Sequence, residues 1–422
     1  MKKLIMILTI AVSVLLVLPG CRKDENYIRF AWWGNTIRDE RTIRVIQLFI
    51  EQNPGIIIEP EQSGWDGYWS RLNTQAAAGS LPDIMQQDYS FIEQYNNRGL
   101  LLDLTPYVEK GIIDISNWPE VGLAPGIIDG RLVALSMGIN AWGMGVDPAV
   151  LQAAEITIDD TTWTWRDYEE IAMTIFRRTG VQTMPSASQQ VFEHVVRQFG
   201  VPFFGDRQLG FTDHADAITA IREVLEMQMR LRAAGALFDP EDASIIGRAM
   251  EESPLARGRT WNNFHWSNQH VGFVNASGRP LQYIMFPRVS GNTTHYGTYL
   301  RPSMFIAILS SSHNTEMAAR FVNFILNDPE ANKILLAERG IPVPYHIREE
   351  LADLVDPNIR HTFDFIDRAI PFTSPIDPPD PPRSAEVIDV ISSILLQCLL
   401  GRITPEAAVN QMIQTANAVL SR

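Results

Sequence analysis

The sequence predicts an α/β protein, and three observations carry that reading. Short apolar runs of strand length alternate with longer segments whose apolar residues recur at helical spacing. Asparagine, glycine and proline stops separate the two kinds of segment, and the alternation continues through most of the chain, with extra helices towards the end.

Residues 27–32 read as the first strand and 37–52 as a helix with Ile43, Ile46 and Ile50 on one face. Thr36-x-x-Asp39 fits a capping box, and Asn53-Pro54-Gly55 stops the helix. Ile56-Ile57-Ile58 is a continuous apolar run, the signature of a parallel strand buried on both faces. Gly64-Trp65-Asp66 opens a helix through Trp69, Leu72 and Ala76 that closes at Gly79. Pro82-Asp83-Ile84-Met85 begins another buried strand, and a helix over 90–98 follows.

Further along, Thr164-Trp165-Arg166-Asp167 starts a helix to about Arg178, and 213–234 is a long helix. Strand-like segments occupy 260–264, 283–286 and 303–309, and amphipathic helices start at Asn314 and at Asp328-Pro329-Glu330. Residues 375–382 hold five prolines in eight positions, which suits a linker or strap and excludes an element interior. Two helices finish the chain, the last opened by Thr404-Pro405-Glu406.

A fifteen-residue apolar run, 4–18, sits behind Met1-Lys2-Lys3 and ends at Leu18-Pro19-Gly20-Cys21, before the charged Arg22-Lys23-Asp24-Glu25. That pattern reads as an export signal over 1–20, too short for a permanent spanning helix. With the signal removed, 402 residues remain, and the loss of Lys2 and Lys3 moves the formal charge from −14 to −16. Such acidity argues against nucleic acid and anionic membrane surfaces as partners. The interrupted apolar stretch 388–400 reads as a buried helix, and Cys398 within it as a small core residue without a disulfide partner.

Catalytic signatures are missing. There is no Gly-x-Ser-x-Gly elbow, no His-Glu-x-x-His pair and no phosphate loop ending in Gly-Lys. Gly143-Met144-Gly145 has Pro148 where a dinucleotide turn needs its third glycine. His265 and His270 could ligate a metal only with partners from elsewhere in the chain, so a solvated or hydrogen-bonded pair is expected in place of a metal site, and no cofactor is expected. A glycosidase needs only two carboxylates, and 49 Asp and Glu residues leave that alternative open.

Several landmarks resemble the bacterial extracellular solute-binding proteins of ABC importers, the group that includes maltose- and oligosaccharide-binding proteins. They are Phe49-x-x-x-Asn53-Pro54-Gly55, the run from Ala77 through Ser80-Leu81-Pro82-Asp83-Ile84 to Asp88, and Arg131-Leu132-Val133-Ala134-Leu135-Ser136. Thr164-Trp165-Arg166-Asp167-Tyr168, Ala318-Ala319-Arg320-Phe321-Val322-Asn323-Phe324-Ile325, Gly340-Ile341-Pro342-Val343 and Gly401-Arg402-Ile403-Thr404-Pro405-Glu406 continue the series in order. Leu18-Pro19-Gly20-Cys21 likewise resembles a lipobox, in which Cys21 would carry the lipid and become the mature N-terminus. The resemblance implies two lobes, each a mostly parallel sheet flanked by helices, with a ligand cleft at the hinge. Crossings are expected near 138–142, 299–303 and Pro344, giving one lobe from 27–140 plus 303–343 and a second from 141–302 plus 344–422, behind a tether over 21–26. It also implies a monomeric, non-enzymatic receptor, anchored outside the cell or held in a periplasm, that delivers a sugar to an ABC permease. A surface sensor or adhesin remains open on the same fold.

Ligands of open α/β sheets lie beyond the carboxyl ends of the strands, and those edges are aromatic here. Trp32, Trp33, Trp65, Trp142 and Trp266 are the candidate platforms for the C–H face of a sugar ring. Asn35, Asp66, Asp88 and Arg301 are the candidate hydrogen-bond partners for its hydroxyls. Each has a structural alternative: core packing for a tryptophan, a helix cap for Asp66 or Asp88, a hinge salt bridge for Arg301.

Overall fold

The computed structural model describes residues 26–245, 250–289 and 293–422. The export signal, Cys21 and all but the last residue of the tether lie outside the described residues, as does the side chain of Asp66.

Seven strands form one mixed sheet: β1 (Tyr27–Trp33), β2 (Ile57–Ser63), β3 (Ile84–Gln87), β6 (Leu135–Val146), β7 (Asn262–Trp266), β8 (Gln282–Ile284) and β9 (Leu300–Ile308). The short strands β4 (Ile127–Ile128) and β5 (Arg131–Leu132) make a separate hairpin. The order is β2-β1-β3-β9-β6-β7, with β8 also paired to β6. Among the paired strands only β1–β2 and β1–β3 are parallel, and the second core carries parallel pairing only as isolated bridges, Thr164 with Arg288, Gln182 with Thr260 and Thr183 with Leu237, where mostly parallel sheets were expected. The remaining pairs are antiparallel, β9 running against β3 and β6, and β6 against β7 and β8.

β6 is the pivotal element. Its residues from Leu135 to Ala141 pair with β9, while Trp142 to Val146 pair with β7. The apolar interior divides at the same place. Ala141 belongs to a core built around Phe30, Trp32, Phe49, Phe305 and Phe321, and Met144 to a second core around Tyr168, Phe192, Trp261 and Ile391. Glycines allow the crowding at this junction: a Cβ on Gly138 would stand 2.5 Å from the Arg339 carbonyl oxygen, and one on Gly143 would stand 2.8 Å from that of Ile284.

Ile56-Ile57-Ile58 is not a doubly covered strand. β2 is the sheet edge and alternates, with Ile58 buried and Ile57 half exposed, because only one face meets the helix Thr36–Gln52. That helix begins one residue earlier than the Thr36 capping box implies: Asn35 is the cap, its side-chain oxygen accepting from the Arg38 N–H at 3.0 Å. The capping box at Thr164–Asp167 is present in full.

The residues after Pro344 first pack with the N-terminal core. Ile347, Leu351, Phe363, Phe365 and Ile366 pack into the first core, so the chain has not left it at Pro344. Thr373 pairs in parallel with Thr298, and only beyond the proline-rich strap does Val387 enter the second core. The apolar faces of helices Tyr345–Leu351 and Pro357–Ala369 join the first core, which spacing alone does not reveal.

Candidate functional site

A cavity of about 430 Å³ opens where elements of both cores converge. Tyr89 and Ser90, just beyond β3, supply one wall. Trp266 at the end of β7, Tyr299 and Arg301 at the start of β9, and Gln189, Gln190 and Glu193 of helix Gln189–Arg197 supply the other. The strap residues Ile376 to Asp380 and the first turn of helix Ser384–Leu399 close the rim.

Trp266 presents an aromatic ring to the cavity. Its ring is backed edge-on by Trp142 at 5.4 Å and by Tyr299 at 6.0 Å, and the Arg301 guanidinium lies over it at 5.7 Å from the ring centre. Cross-strand register makes this arrangement: Trp142 of β6 sits directly opposite Trp266 of β7, and Arg301 of β9 opposite Asn140 of β6.

Glu193 shows the strongest electrostatic tuning among the cavity carboxyls. Burial pushes its carboxyl up to about 7, opposed by a hydrogen bond from Tyr299 and by the nearby Arg197 charge. Gln189 Nε2 donates to the same carboxylate at 3.2 Å. Burial also raises Asp380, against the pull of Arg301. Arg197 itself is buried and wholly committed. It donates to the Gly297 carbonyl at 3.2 Å, Ser374 Oγ at 2.8 Å and the Pro375 carbonyl at 2.6 Å, ion-pairs with Asp377, and stacks 4.5 Å from the Tyr299 ring centre. The Tyr89 hydroxyl, from the opposite wall, donates to the Asp377 carbonyl at 2.6 Å. The strap is thereby tied to both sides of the cavity.

Of the tryptophans and polar residues singled out from the sequence, Trp266 and Arg301 line the cavity, and Trp142 supports it from behind. Trp32 does not belong to the site. It is fully buried, and its indole N–H is satisfied by Asp39 Oδ1 at 2.8 Å. The alternation of β1 turns Trp32 into the first core, between Phe30 and the following helix. Asn35 and Asp88 serve the backbone: Asn35 caps a helix, and Asp88 Oδ1 accepts from the Ser90 N–H at 2.9 Å in an Asx turn. Trp33 is nearly buried among Trp65, Tyr68 and Trp69, with ring centres 5.0, 5.1 and 5.8 Å away, while Trp65 stays 44% exposed at the mouth of that cluster. Trp69 leans on Phe91 at 4.3 Å, next to the Tyr89–Ser90 wall. Asp66 lies outside the described side chains.

Glu193, Tyr299, Asp377 and Asp380 were not found from the sequence. Glu193 carried a signal, being a lone carboxylate among the apolar Val191, Phe192, Val195 and Val196. The strap acids carried none, since their place depends on the path of the chain between the two cores.

A second cavity of about 400 Å³ contains Asn140, the cross-strand partner of Arg301, together with Ser267, Ser303 and the Arg38–Glu338 ion pair. His265 and His270 are a buried pair with Nε2 and Nδ1 3.2 Å apart. Among the described residues no group of three or more His, Cys, Asp or Glu side chains is placed to hold a metal, and no helix is long and apolar enough to cross a membrane.

Comparison with known proteins agrees with this architecture. The extracellular solute-binding protein family 1 member from Alicyclobacillus acidocaldarius is 28% identical, with a TM-score of 0.86, over 94% of this chain and 98% of that one. The periplasmic oligogalacturonide binding protein from Yersinia enterocolitica is 19% identical, with a TM-score of 0.75 over 94% and 99%. The cyclic alpha-maltosyl-1,6-maltose binding protein from Arthrobacter globiformis is 16% identical, with a TM-score of 0.69 over 94% and 99%. Residues 44–353 match the bacterial extracellular solute-binding protein family along most of the chain. With a periplasmic-binding-protein fold and that match, the chain belongs to the bacterial extracellular solute-binding proteins and is a non-catalytic, ABC-type solute receptor.

Proposed function

We propose that this receptor captures a sugar or oligosaccharide between two lobes and passes it intact to an ABC permease. The observation that carries the reading is Trp266, presented to a cavity whose walls come from both cores. An indole offers an apolar plane to the C–H face of a pyranose, while the Gln, Glu, Asp and Arg side chains around it are bidentate hydroxyl partners. Relatives with the same fold bind an oligogalacturonide and a cyclic maltosyl-maltose, which supports a carbohydrate ligand.

In this reading the lobes follow the two apolar cores, with crossings at 141–142, 299–300 and 373–374. Contacts from both lobes to one ligand exist only in the closed form, so binding shifts the population towards closure. Taking the equilibrium from mostly open to mostly closed requires the ligand to favour the closed state by about 5.5 kcal/mol. Cys21 carries the lipid anchor that holds the receptor near its permease.

Thermal-shift screening against a glycan library tests the ligand class. A cognate oligosaccharide at about a hundred times its dissociation constant adds about 2.7 kcal/mol of stability. A library that leaves the melting temperature unchanged throughout removes the sugar reading.

A further inference from the structure

We propose that Tyr89 is a positioning residue for ligand capture, its hydroxyl latching the proline strap to the first lobe and so holding the empty cleft towards its closed form. This rests on the two-lobed capture proposed above and deepens it.

The strap is anchored on the side of the second core. Thr373 pairs with Thr298, and the Ser374 N–H donates to the Thr298 carbonyl at 2.9 Å. Arg197 ends a helix whose Val191, Phe192, Val195 and Val196 build the second core, and it holds Ser374 Oγ, the Pro375 carbonyl and the Asp377 carboxylate. Beyond the strap, Val387 and Ile391 enter that same core. Tyr89 comes from the other side. Its ring packs against the first core, 6.3 Å from Phe305 between centres, and its hydroxyl donates to the Asp377 carbonyl at 2.6 Å. Among the described residues no other hydrogen bond joins residues 375–380 to a residue of the first core. Apolar packing does not replace it: a cavity of about 300 Å³ is lined by Pro375 and Pro379 on the strap side and by Pro125 and Ile127 on the other, so the two surfaces are parted there. When the lobes separate, the strap travels with Arg197, and the bond that breaks is the one from Tyr89. Tyr89, Ile376, Asp377 and Asp380 also border the ligand cavity, so the same bond sets the width of its mouth. One neutral hydrogen bond changes an equilibrium by about two- to twelvefold.

The test is Tyr89→Phe, which keeps the ring and removes only the hydroxyl. In the whole mature protein carrying Cys21→Ser, spin labels on Glu109→Cys, exposed beside the first core, and Glu223→Cys, exposed beside the second, report the separation of the lobes. Measurements are made with and without the tightest glycan of a mixed-linkage panel. In the empty variant the ratio of short to long separations is expected to fall about two- to twelvefold, while the glycan-bound separation matches that of the parent protein. Calorimetry should show an affinity weaker by no more than that factor. An unchanged separation in the empty variant overturns the inference and leaves sugar capture standing, even where affinity falls, since the hydroxyl would then act on the ligand directly. If a glycan binds and moves the labels in neither protein, the lobes do not close and the inference falls with that reading. A panel without any binder removes the sugar reading alone, because the two empty proteins still decide the latch.

Discussion

Arg301 lies over Trp266, its guanidinium carbon 5.7 Å from the ring centre, and the two residues come from different strands, β9 and β7, that do not pair with each other. β6 stands between them and sets their spacing, so the platform and its cation are positioned by a strand that contributes only Trp142 behind them.

Trp266→Ala removes the open aromatic face without emptying either main core. Affinity for the cognate glycan is expected to fall by about 1–3 kcal/mol, measured by calorimetry, while the unliganded melting temperature changes little. Unchanged affinity displaces the ligand from this cavity.

Trp32→Ala has the opposite signature. The side chain is fully buried and its N–H is paired with Asp39, so truncation should cost about 3–5 kcal/mol in chemical denaturation. The fraction that remains folded binds glycan with the affinity of the parent protein.

Arg197→Met leaves Asp377 without its partner at the strap, and Asp377→Asn leaves a buried guanidinium uncompensated. Each single change is expected to cost about 3–5 kcal/mol, and the double variant less than the sum. Additive losses in urea denaturation would show that the two residues act independently.

Glu193→Gln tests the buried carboxyl. A folded value near 7 against the ordinary 4.5 means that the native state holds the proton more tightly, so stability present at low pH is lost as pH rises from 4.5 through 7. The variant lacks that loss, and its melting temperature should gain on the parent protein between pH 5 and pH 8.

His270 runs the other way. Burial chiefly, with a backbone hydrogen bond opposing, pushes its imidazole down to about 4 from 6.5. The unfolded chain therefore binds the extra proton first, and roughly 3 kcal/mol present above pH 6.5 drains away as pH falls towards 4. A His270→Gln variant should show a flatter melting temperature over that interval.

The sequence made the α/β alternation legible because β1, β3 and the helices after them carry clean periods and caps. β6 was not legible as one long strand. Gly138, Asn140, Gly143 and Gly145 dilute its apolar pattern, yet Gly138 and Gly143 are what let neighbouring backbone pass so closely. Among site residues, Trp266 and Arg301 were recoverable from their place at strand ends. Trp32 and Trp33 were both read as candidate platforms, and both are buried in the first core, because β1 is covered on both faces by layers the local sequence does not specify. Asp377 and Asp380 sit on a proline strap with no period at all, so only the folded path brings them to the cavity.

Because β6 contributes to both cores and the first core draws residues from Ile28 to Ala369, that core cannot be completed early in synthesis. Arg38 closes on Glu338, 300 positions away, and the core that holds Phe30 is incomplete until Phe363 to Ala369 has been synthesised. Such remote pairing slows folding and makes it wait on nearly the whole polypeptide. A nascent chain of this kind stays loose while it is being made, which is the condition that threading through a narrow translocation channel requires.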